Sequence, residues 1–393
     1  MRIAINGCGI AGPTLAWWLR HYGFTPVIFE RAPALRAGGY AVDFWGSGYQ
    51  VAERMGILPG LRTDGYVVER LRSVSASGRT VASFRAGAIV EAAGGDYLTI
   101  ARSDLSRRIF DACEGIEAHF GRSIEALEDG SGEVVATLSD GRRESFDVVI
   151  GADGLHSHVR GLVFGPQQRF ERALGLHVAA FLLEGYRPRD ELAYVQFTRP
   201  GRQMSRLALR DDRTLFLLVF ADRLLGEEPR GAAGQKAALR RMFGGLGWET
   251  DAILARLGEV DDLYFDRASQ IELPRWSKGR VALVGDAAAC PSLLAGEGSG
   301  LGMTEAYVLA GELARAGGDH HAAFAAYQAK LKDYVAKKQA AARRFKGFFA
   351  PKSWVGLILR ELAINLAGIP FLTKPLLGAG LSDQFELPEY GHR

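Results

Sequence analysis

Short apolar runs that end at a glycine recur along the chain, and they predict a buried parallel sheet. The first run covers residues 2–6 and is followed by a glycine-rich turn, a helix over 13–22 and a second strand at 26–30. Two later runs, at residues 146–150 and 280–284, also lead directly into glycine. Strands that alternate with glycine turns and helices in this way indicate an α/β domain.

Between these runs the pattern changes to short strands separated by polar turns, which predicts an antiparallel sheet inserted into the α/β domain. The predicted strands of this inserted sheet cover residues 174–183, 192–197, 204–209 and 214–220. A hairpin over 71–84 is a further candidate for the same sheet, and Asp-Gly turns at 129–130 and 140–141 predict a β-meander. A basic helix is predicted over 322–349, and an apolar helix over 354–366.

The composition excludes several classes of protein. Glycine is abundant, with 49 of 393 residues, but it has no three-residue period, so the chain is not collagen-like. A hydrophobic fraction of 48% excludes a disordered chain. The surplus glycines are therefore expected at particular backbone positions of a folded protein.

Charge and cysteine content bear on the binding partners and the cellular compartment of the protein. The net charge of +3 comes from 48 basic and 45 acidic residues that are interspersed, so no nucleic-acid partner is expected. Cys8, Cys113 and Cys290 show neither CxxC nor metal-ligand spacing, which predicts a reducing compartment and no metal site. No apolar stretch reaches 18 residues, so we expect no membrane span and a cytoplasmic location.

The amino-terminal turn carries the strongest motif. Gly7, Gly9 and Gly12 form G-x-G-x-x-G between a strand and a helix, the pattern that lets backbone and helix N-terminus approach a pyrophosphate. Glu30 follows at the end of the second strand, where a carboxylate accepts hydrogen bonds from an adenosine ribose. The alternatives are a structural glycine turn and a plain surface carboxylate.

Two further motifs follow the later apolar runs. Asp153 and Gly154 lie directly after the strand at 146–150, with Arg160 in the helix that follows. An Asp-Gly turn capping that helix is the simpler interpretation. Gly285-Asp286 follows the run at 280–284, and glycines then recur at every second position from 296 to 302, before a helix predicted over about 300–316. That spacing suits a backbone pressed against a flat ligand at the start of a helix.

These three motifs, in this order, resemble those of the class A flavoprotein monooxygenases, the para-hydroxybenzoate-hydroxylase-like superfamily. Arg102, in the segment Ile100-Ala-Arg-Ser-Asp-Leu, resembles the arginine of that family's R-x-x-L helix start, although a plain surface arginine is the alternative. The resemblance implies that FAD is held by Gly7, Gly9, Ile10, Ala11, Gly12, Glu30, Arg31, Gly39, Arg102, Asp153, Gly154, Arg160, Gly285, Asp286, Pro291, Gly296, Gly298, Ser299 and Gly300.

The resemblance also implies a domain organisation. It predicts an α/β fold in which a Rossmann-type, GR2-like FAD-binding domain is interleaved with an antiparallel-sheet substrate domain and followed by C-terminal helices. The FAD-binding domain is expected at residues 1–70, 97–165 and 271–325. The substrate domain is expected at 71–96 and 166–270, and the helical extension at 326–393.

The chain departs from the family pattern after Gly285-Asp286. The family sequence Gly-Gln-Gly-x-Asn is replaced here by residues 296–300, with Glu297 in place of the glutamine and Gly300 in place of the asparagine. These departures alter the loop that the resemblance places against the flavin, and they change the side chains expected at its pyrimidine edge.

Two segments resemble a narrower branch, the tetracycline-inactivating monooxygenases or tetracycline destructases. These segments are the Gly-Gly loop and G-S-G turn within residues 38–48, and the C-terminal apolar helix. Related natural-product hydroxylases share both features. On this interpretation the inserted sheet contacts substrate through His177, Gln196, Arg202 and Phe216. Satisfied sheet residues are the alternative for each.

The resemblance implies an FAD-dependent monooxygenase that uses NADPH or NADH and O2 to hydroxylate a phenolic or enolic polycyclic substrate through a flavin C4a-hydroperoxide. Inactivation of tetracycline, and hence antibiotic resistance, is the narrow hypothesis. The alternatives are a hydroxylase of another aromatic polyketide or natural product, a flavin oxidase or dehydrogenase, and a sensor that keeps FAD as a structural ligand. No catalytic side chain is assigned because the flavin carries the chemistry. A monomer or weak dimer is expected.

Overall fold

The computed structural model describes residues 1–36, 38–87, 90, 95–367 and 385–391. Its strands are β1 Arg2–Asn6, β2 Thr25–Glu30, β3 Ala41–Trp45, β4 Arg70–Val74, β5 Thr80–Arg85, β6 Tyr97–Ala101, β7 Glu117–Phe120, β8 Ile124–Asp129, β9 Val134–Leu138, β10 Arg143–Phe146, β11 Val148–Gly151, β12 Glu171–Glu184, β13 Ala193–Arg199, β14 Arg202–Ala208, β15 Arg213–Ala221, β16 Tyr264–Ile271, β17 Ser277–Lys278 and β18 Val281–Leu283. Its helices are α1 Ala11–His21, α2 Gly46–Arg54, α3 Leu58–Asp64, α4 Arg102–Asp111, α5 His158–Phe164, α6 Asp222–Leu225, α7 Gly231–Phe243, α8 Thr250–Ala255, α9 Asp286–Ala289, α10 Gly298–Arg315, α11 His320–Phe349 and α12 Trp354–Ala367.

The predicted parallel sheet is present and has β1 at its centre. Its strand order is β17-β18-β11-β1-β2-β7, and β1 pairs in parallel with both β2 and β11. Ile3 and Ile5 have no exposed surface, and helices α1 and α10 contribute to the same apolar cluster. Continuous burial along a strand is typical of a sheet covered on both faces.

The inserted sheet is also present, and it has more strands than the hydrophobic pattern of the sequence predicts. Its order is β16-β12-β15-β14-β13-β4-β5, so the hairpin over 71–84 joins it through parallel pairing of β4 with β13. The Asp-Gly turns connect a separate three-stranded sheet, β10-β9-β8. Both hairpin predictions are therefore confirmed.

The inserted sheet has two faces with different neighbours, because successive side chains of a strand point to opposite sides. The outer face packs against α7 and α8, and its side chains include Ala179, Phe181, Phe216, Leu218 and Phe220. The inner face is turned toward the parallel-sheet region and contacts Ala41, Ala101 and Leu294 there; its side chains include Leu176, Val178, Leu207, Leu215 and Val219. The inner face is therefore the one that lies beside the predicted cofactor loops.

Several elements were not predicted from the pattern. Strands β3 and β6 pair with each other as a two-stranded antiparallel sheet, and helices α7 and α8 cover the outer face. The expected turn at Gly46-Ser47-Gly48 is instead the first turn of α2. A Cβ on Gly48 would lie 2.3 Å from the Cα of Gly300, so this glycine is needed for α2 to pack closely against α10.

The carboxy-terminal region begins as predicted, with a long helix followed by an apolar one. Arg360 and Asn365 attach α12 to the inserted sheet, the latter by accepting a hydrogen bond from the Ser83 backbone N–H at 3.1 Å. Part of the predicted extension over 326–393 lies outside the described residues. Among the helices that the structure describes, none combines the length and apolar character needed to cross a bilayer.

Candidate functional site

The glycines of the first motif have separate roles. Gly7 has φ +116°, and a Cβ there would lie 2.4 Å from the carbonyl oxygen of Ala152. A Cβ on Gly12 would lie 2.0 Å from the carbonyl oxygen of Gly7. Gly9 is different, since its Cβ would meet only the Arg102 guanidinium, at 3.2 Å. The first and third glycines therefore allow close packing of the backbone, and the second leaves backbone exposed beside a cation.

Glu30 supports the same turn from the second strand. Its Oε2 accepts a hydrogen bond from the Cys8 N–H at 2.8 Å, and its Oε1 accepts one from the Ala32 N–H at 2.9 Å. Arg31, predicted with it as a cofactor residue, is exposed. Ile10 and Ala11 form the start of α1, which has no side-chain cap. The free N–H groups there are the kind of donor that binds a phosphate.

Arg102 brings the motifs together in space. It is the first residue of α4, its backbone N–H donates to the Tyr40 carbonyl at 2.9 Å, and its side chain interacts electrostatically with Asp286. A Cβ on Gly39 would lie 3.8 Å from the Arg102 side chain. Arg102 is therefore not a plain surface arginine, because its guanidinium lies between the first and third motifs.

The second motif contacts both the first and the third. The Asp153 carboxylate accepts hydrogen bonds from the Asn6 side chain and from the backbone N–H of His158 at the start of α5. Arg160 is fully buried, donates to the carbonyl oxygens of Leu155 and Ala287, and has its pKa lowered by burial. Gly154 is the glycine of this turn, and no atom lies within 4 Å of its Cβ position. The Asp-Gly turn with a helix cap is therefore present, and Arg160 connects it to the Gly285-Asp286 segment.

The third motif forms one wall of a cleft whose other walls include Tyr40, Val42 and Tyr264. Burial raises the pKa of the Asp286 carboxyl, which also interacts with Cys290. The rings of Tyr40 and Tyr264 meet edge to face across the cleft, 5.6 Å apart. The predicted residues that line it are Asp286, Gly296, Gly298 and Ser299. Pro291 lies just outside, where its carbonyl accepts a hydrogen bond from the Gln270 side chain at 2.9 Å.

Glu297, the departure from the family pattern, has a partner in α11. Its Oε2 lies 2.5 Å from the Lys338 Nζ, and that ammonium lies 4.8 Å from the centre of the Trp45 ring. These side chains line a second cavity together with Gly300. The ion pair therefore ties the loop between Gly296 and Gly298 to α11.

The structure does not bring the four predicted substrate residues together. Phe216 is fully buried on the outer face and stacks on Phe181. His177, also on the outer face, lies between Asp222 and Glu228, with its Nδ1 2.8 Å from the Asp222 Oδ1. Arg202 is directed to the same side and donates to the Met242 carbonyl of α7.

Only Gln196 of those four lies on the inner face. Its Nε2 donates to the Ser73 hydroxyl at 2.9 Å, and Tyr194 two residues earlier shares a 2.6 Å hydrogen bond with Ser205. Arg360 of α12 reaches the same face and donates to Thr198 at 2.7 Å. Tyr194, Ser205 and Arg360 were missed by the sequence reasoning; strand alternation relative to Gln196 was the signal available for the first.

The described residues fit FAD. A diphosphate needs donors and a nearby cation, and the uncapped start of α1, the exposed backbone at Gly9 and the Arg102 guanidinium supply them. The start of α10 also lacks a side-chain cap, and a Cβ on its Gly298 would meet only the Asp286 carboxyl, at 3.7 Å. These glycines therefore leave open space beside groups that can bind the cofactor.

Comparison with known proteins agrees with this fit. The family described as "FAD binding domain" matches residues 1–345. A flavin-dependent monooxygenase from an unknown prokaryotic organism is 35% identical over 339 residues, which cover 86% of this chain and 87% of that protein. The chain belongs to this family of flavin-dependent monooxygenases. A second such monooxygenase, from Legionella longbeachae serogroup 1 (strain NSW150), is 34% identical and covers 86% of this chain and 87% of its own.

Solved structures are similar to this chain over nearly all of its residues. The tetracycline destructase Tet(51) has a TM-score of 0.84 at 32% identity, covering 99% of each chain. Tet(55) has a TM-score of 0.83 at 32% identity and covers 99% of this chain and 98% of its own. Klebsiella pneumoniae HpxO, complexed with FAD and uric acid, shares the fold with a TM-score of 0.82 at 24% identity, covering 98% of each chain. The resemblance and fold class expected from the three motifs are therefore confirmed.

Proposed function

We propose that this monooxygenase uses NADH or NADPH and O2 to hydroxylate an enolic or phenolic polycyclic substrate, and that a tetracycline is the first substrate to test. The observation that carries the proposal is that Arg102 lies beside Gly9 and interacts with Asp286. Asp286 in turn lines a cleft that reaches the inner face of the inserted sheet at Tyr264 and Leu293. Similarity to Tet(51) and Tet(55) supports the choice of substrate.

In this proposal the cofactor is held by the glycine turns and by the residues that flank them. FAD, when bound, would supply the electron transfer and oxygen activation that side chains cannot. Arg102 and the start of α1 would bind its diphosphate, while Glu30 would turn from the Cys8 N–H to the adenosine ribose. Asp286 would accept a hydrogen bond from a hydroxyl group of the cofactor, since a carboxyl oxygen is an acceptor and direct contact with phosphate would be repulsive.

The substrate would lie between the cofactor loops and the inner face, and not against the outer face. Gln196, Tyr194 and Arg360 supply polar groups on the inner face, and apolar neighbours such as Leu207 and Leu215 exclude water. The Arg360 guanidinium is buried, which lowers its pKa to about 10, and it remains a cation at neutral pH. A cation there would stabilise an enolate or phenolate oxygen of the substrate.

We further propose the domain division given by the resemblance. Residues 1–70, 97–165 and 271–325 would form the FAD-binding domain, and 71–96 and 166–270 the substrate domain. Residues 326–393 would form the extension, in which α12 contributes Arg360 to the substrate side.

The test is a coupled measurement with the holoenzyme. NADH and NADPH oxidation would be followed with and without each of several tetracyclines and other polyketide phenols, under ¹⁸O₂, with mass analysis of the product. We expect substrate-stimulated oxidation of the nicotinamide and one labelled oxygen in the product. Hydride removal from substrate without incorporated label would instead favour an oxidase or dehydrogenase. Oxidation of other polyketides but of no tetracycline would leave a hydroxylase of another natural product.

A further inference from the structure

A buried carboxyl group contacts the cofactor loop from behind. Glu305 lies in α10, has no exposed surface, and its Oε2 accepts a hydrogen bond from the backbone N–H of Gly285 at 2.5 Å. This N–H belongs to the turn that presents Asp286 to the cleft. Glu305 therefore restrains the third motif without lining the cleft itself.

A tyrosine from α11 completes the contact. The Tyr327 hydroxyl lies 3.2 Å from the Glu305 Oε2 and 3.2 Å from the Leu283 carbonyl oxygen. Since one hydroxyl has a single proton, it serves both acceptors only by sharing or alternating between them. The turn after β18 is thus held by one carboxyl and one hydroxyl, both fully buried.

The environment of the second carboxyl oxygen, Oε1, indicates whether Glu305 is charged. Glu305 Oε1 is buried and has no hydrogen-bond partner in the described protein. A buried carboxylate with an unpaired oxygen is far more costly than a neutral carboxylic acid in the same place. The described titratable groups that face it are Tyr327 from α11 and Asp286 from the turn, and α1 presents only Ala11 near the same turn. None of them is a cation.

We propose that Glu305 is a positioning residue for FAD, holding the Gly285-Asp286 turn in its binding shape, and that it does so as the neutral acid. The dianionic diphosphate, which the proposed contacts place at Arg102 beside Asp286, disfavours a further negative charge behind the turn, so binding of the cofactor and retention of the proton support each other. The inference rests on the proposed cofactor contacts of Gly285 and Asp286.

The pH range follows from the environment. Burial raises the pKa of Glu305 to about 8, against 4.5 for an exposed glutamate, while the Gly285 N–H opposes this rise. Burial also raises the pKa of Tyr40 to about 12 and that of Cys290 well above its usual value, so neither titrates in the same range. FAD binding should therefore weaken as pH rises through about 8, when the proton is lost.

The experiment titrates the apoprotein with FAD between pH 6 and 10, using quenching of flavin fluorescence. For the wild type we expect Kd to rise about tenfold across this range, the factor that corresponds to a difference of about one pKa unit between free and bound protein. Glu305→Gln, which keeps a neutral acceptor for Gly285, should give a Kd that changes little with pH. Tyr327→Phe removes a donor that favours the carboxylate, so the inflection should move to higher pH.

Glu312→Gln is the matched control. Glu312 is a second buried glutamate of α10, but it is paired with Arg315 and Lys330 and accepts a hydrogen bond from Tyr390. This variant should follow the wild-type pH profile. The same profile in Glu305→Gln, or an unshifted inflection in Tyr327→Phe, would overturn the proposal. A wild type that fails to bind FAD at any pH would overturn the cofactor contacts as well, which separates the two failures.

Discussion

The glycine turn after β1 and the inserted seven-stranded sheet would contribute to the proposed function in opposite ways. In the turn, side chains are absent where backbone must approach, and Gly9 is open beside Arg102 for this reason. In the sheet, function depends on which side chains project to one of two faces. A shift of one residue along a strand moves a side chain from the inner to the outer face. An error of one residue in a prediction for the turn therefore changes its contacts only slightly. An error of one residue in strand register assigns a side chain to the wrong face of the sheet.

The largest effect is expected in the turn. Gly12→Ala places a Cβ 2.0 Å from the Gly7 carbonyl oxygen, a clash that only backbone displacement relieves. We expect a loss of more than about 4 kcal/mol in the free energy of unfolding, measured in urea. Gly161→Ala in α5, where no atom lies within 4 Å of the new Cβ, is the control and should change stability by less than about 1 kcal/mol. Equal effects of the two variants would contradict the packing role of Gly12.

Phe216→Ala tests the outer face. The side chain is fully buried against Phe181 and Tyr186, so its removal should lower the free energy of unfolding by about 3–4 kcal/mol. The KM for substrate should stay within about twofold of wild type, because the outer face lies away from the cleft. A large rise in KM with unchanged stability would restore Phe216 as a substrate residue.

Tyr194→Phe tests the inner face. Loss of the hydroxyl that bonds to Ser205 should lower kcat/KM about tenfold, with a cost in stability of about 1 kcal/mol. Tyr186→Phe is the matched control, since its hydroxyl bonds to Glu249 on the outer side. It should leave kcat/KM unchanged. If the two variants behave alike in steady-state kinetics, the division into two functional faces fails.

Lys338→Gln has the smallest expected effect and tests the loop between the two regions. Loss of the ion pair leaves Glu297 partly buried without its cation, which should weaken FAD binding about fivefold. The double variant Glu297→Gln/Lys338→Gln removes both charges and should recover part of the affinity. Additive losses in the double variant would show that the two side chains do not act as a pair.

The parallel sheet and its cofactor turn could be predicted because the determinants are local. Gly7, Gly9 and Gly12 lie within six residues, and the apolar run before them leads directly into this turn. The same local logic found the hairpins at the Asp-Gly turns. The glycines at 300 and 302 were assigned to ligand contact on equally local grounds, yet Gly300 faces Gly48 and Gly302 lies near Ala11. Close helix packing, which spacing alone does not reveal, accounts for them.

The face of the inserted sheet that we propose for the substrate could not be predicted in this way. His177, Arg202 and Phe216 were chosen as polar or aromatic residues of the predicted inserted sheet, and that choice is blind to strand register. The face toward the cofactor depends on which side α7 and α8 cover, and neither helix was predicted from the sequence. The contact from Arg360 adds a partner more than 150 residues away in sequence.

The sequence by itself determined the motifs, their order and hence the cofactor class, because a backbone turn that admits a diphosphate needs glycine at set positions over a few residues. The tertiary structure decided which side chains meet. It paired Glu297 with Lys338, set Glu305 behind Gly285, and turned Gln196 inward and Phe216 outward. The physical reason is that burial and charge pairing depend on contacts between distant segments, and such contacts exist only once the sheets and helices have packed.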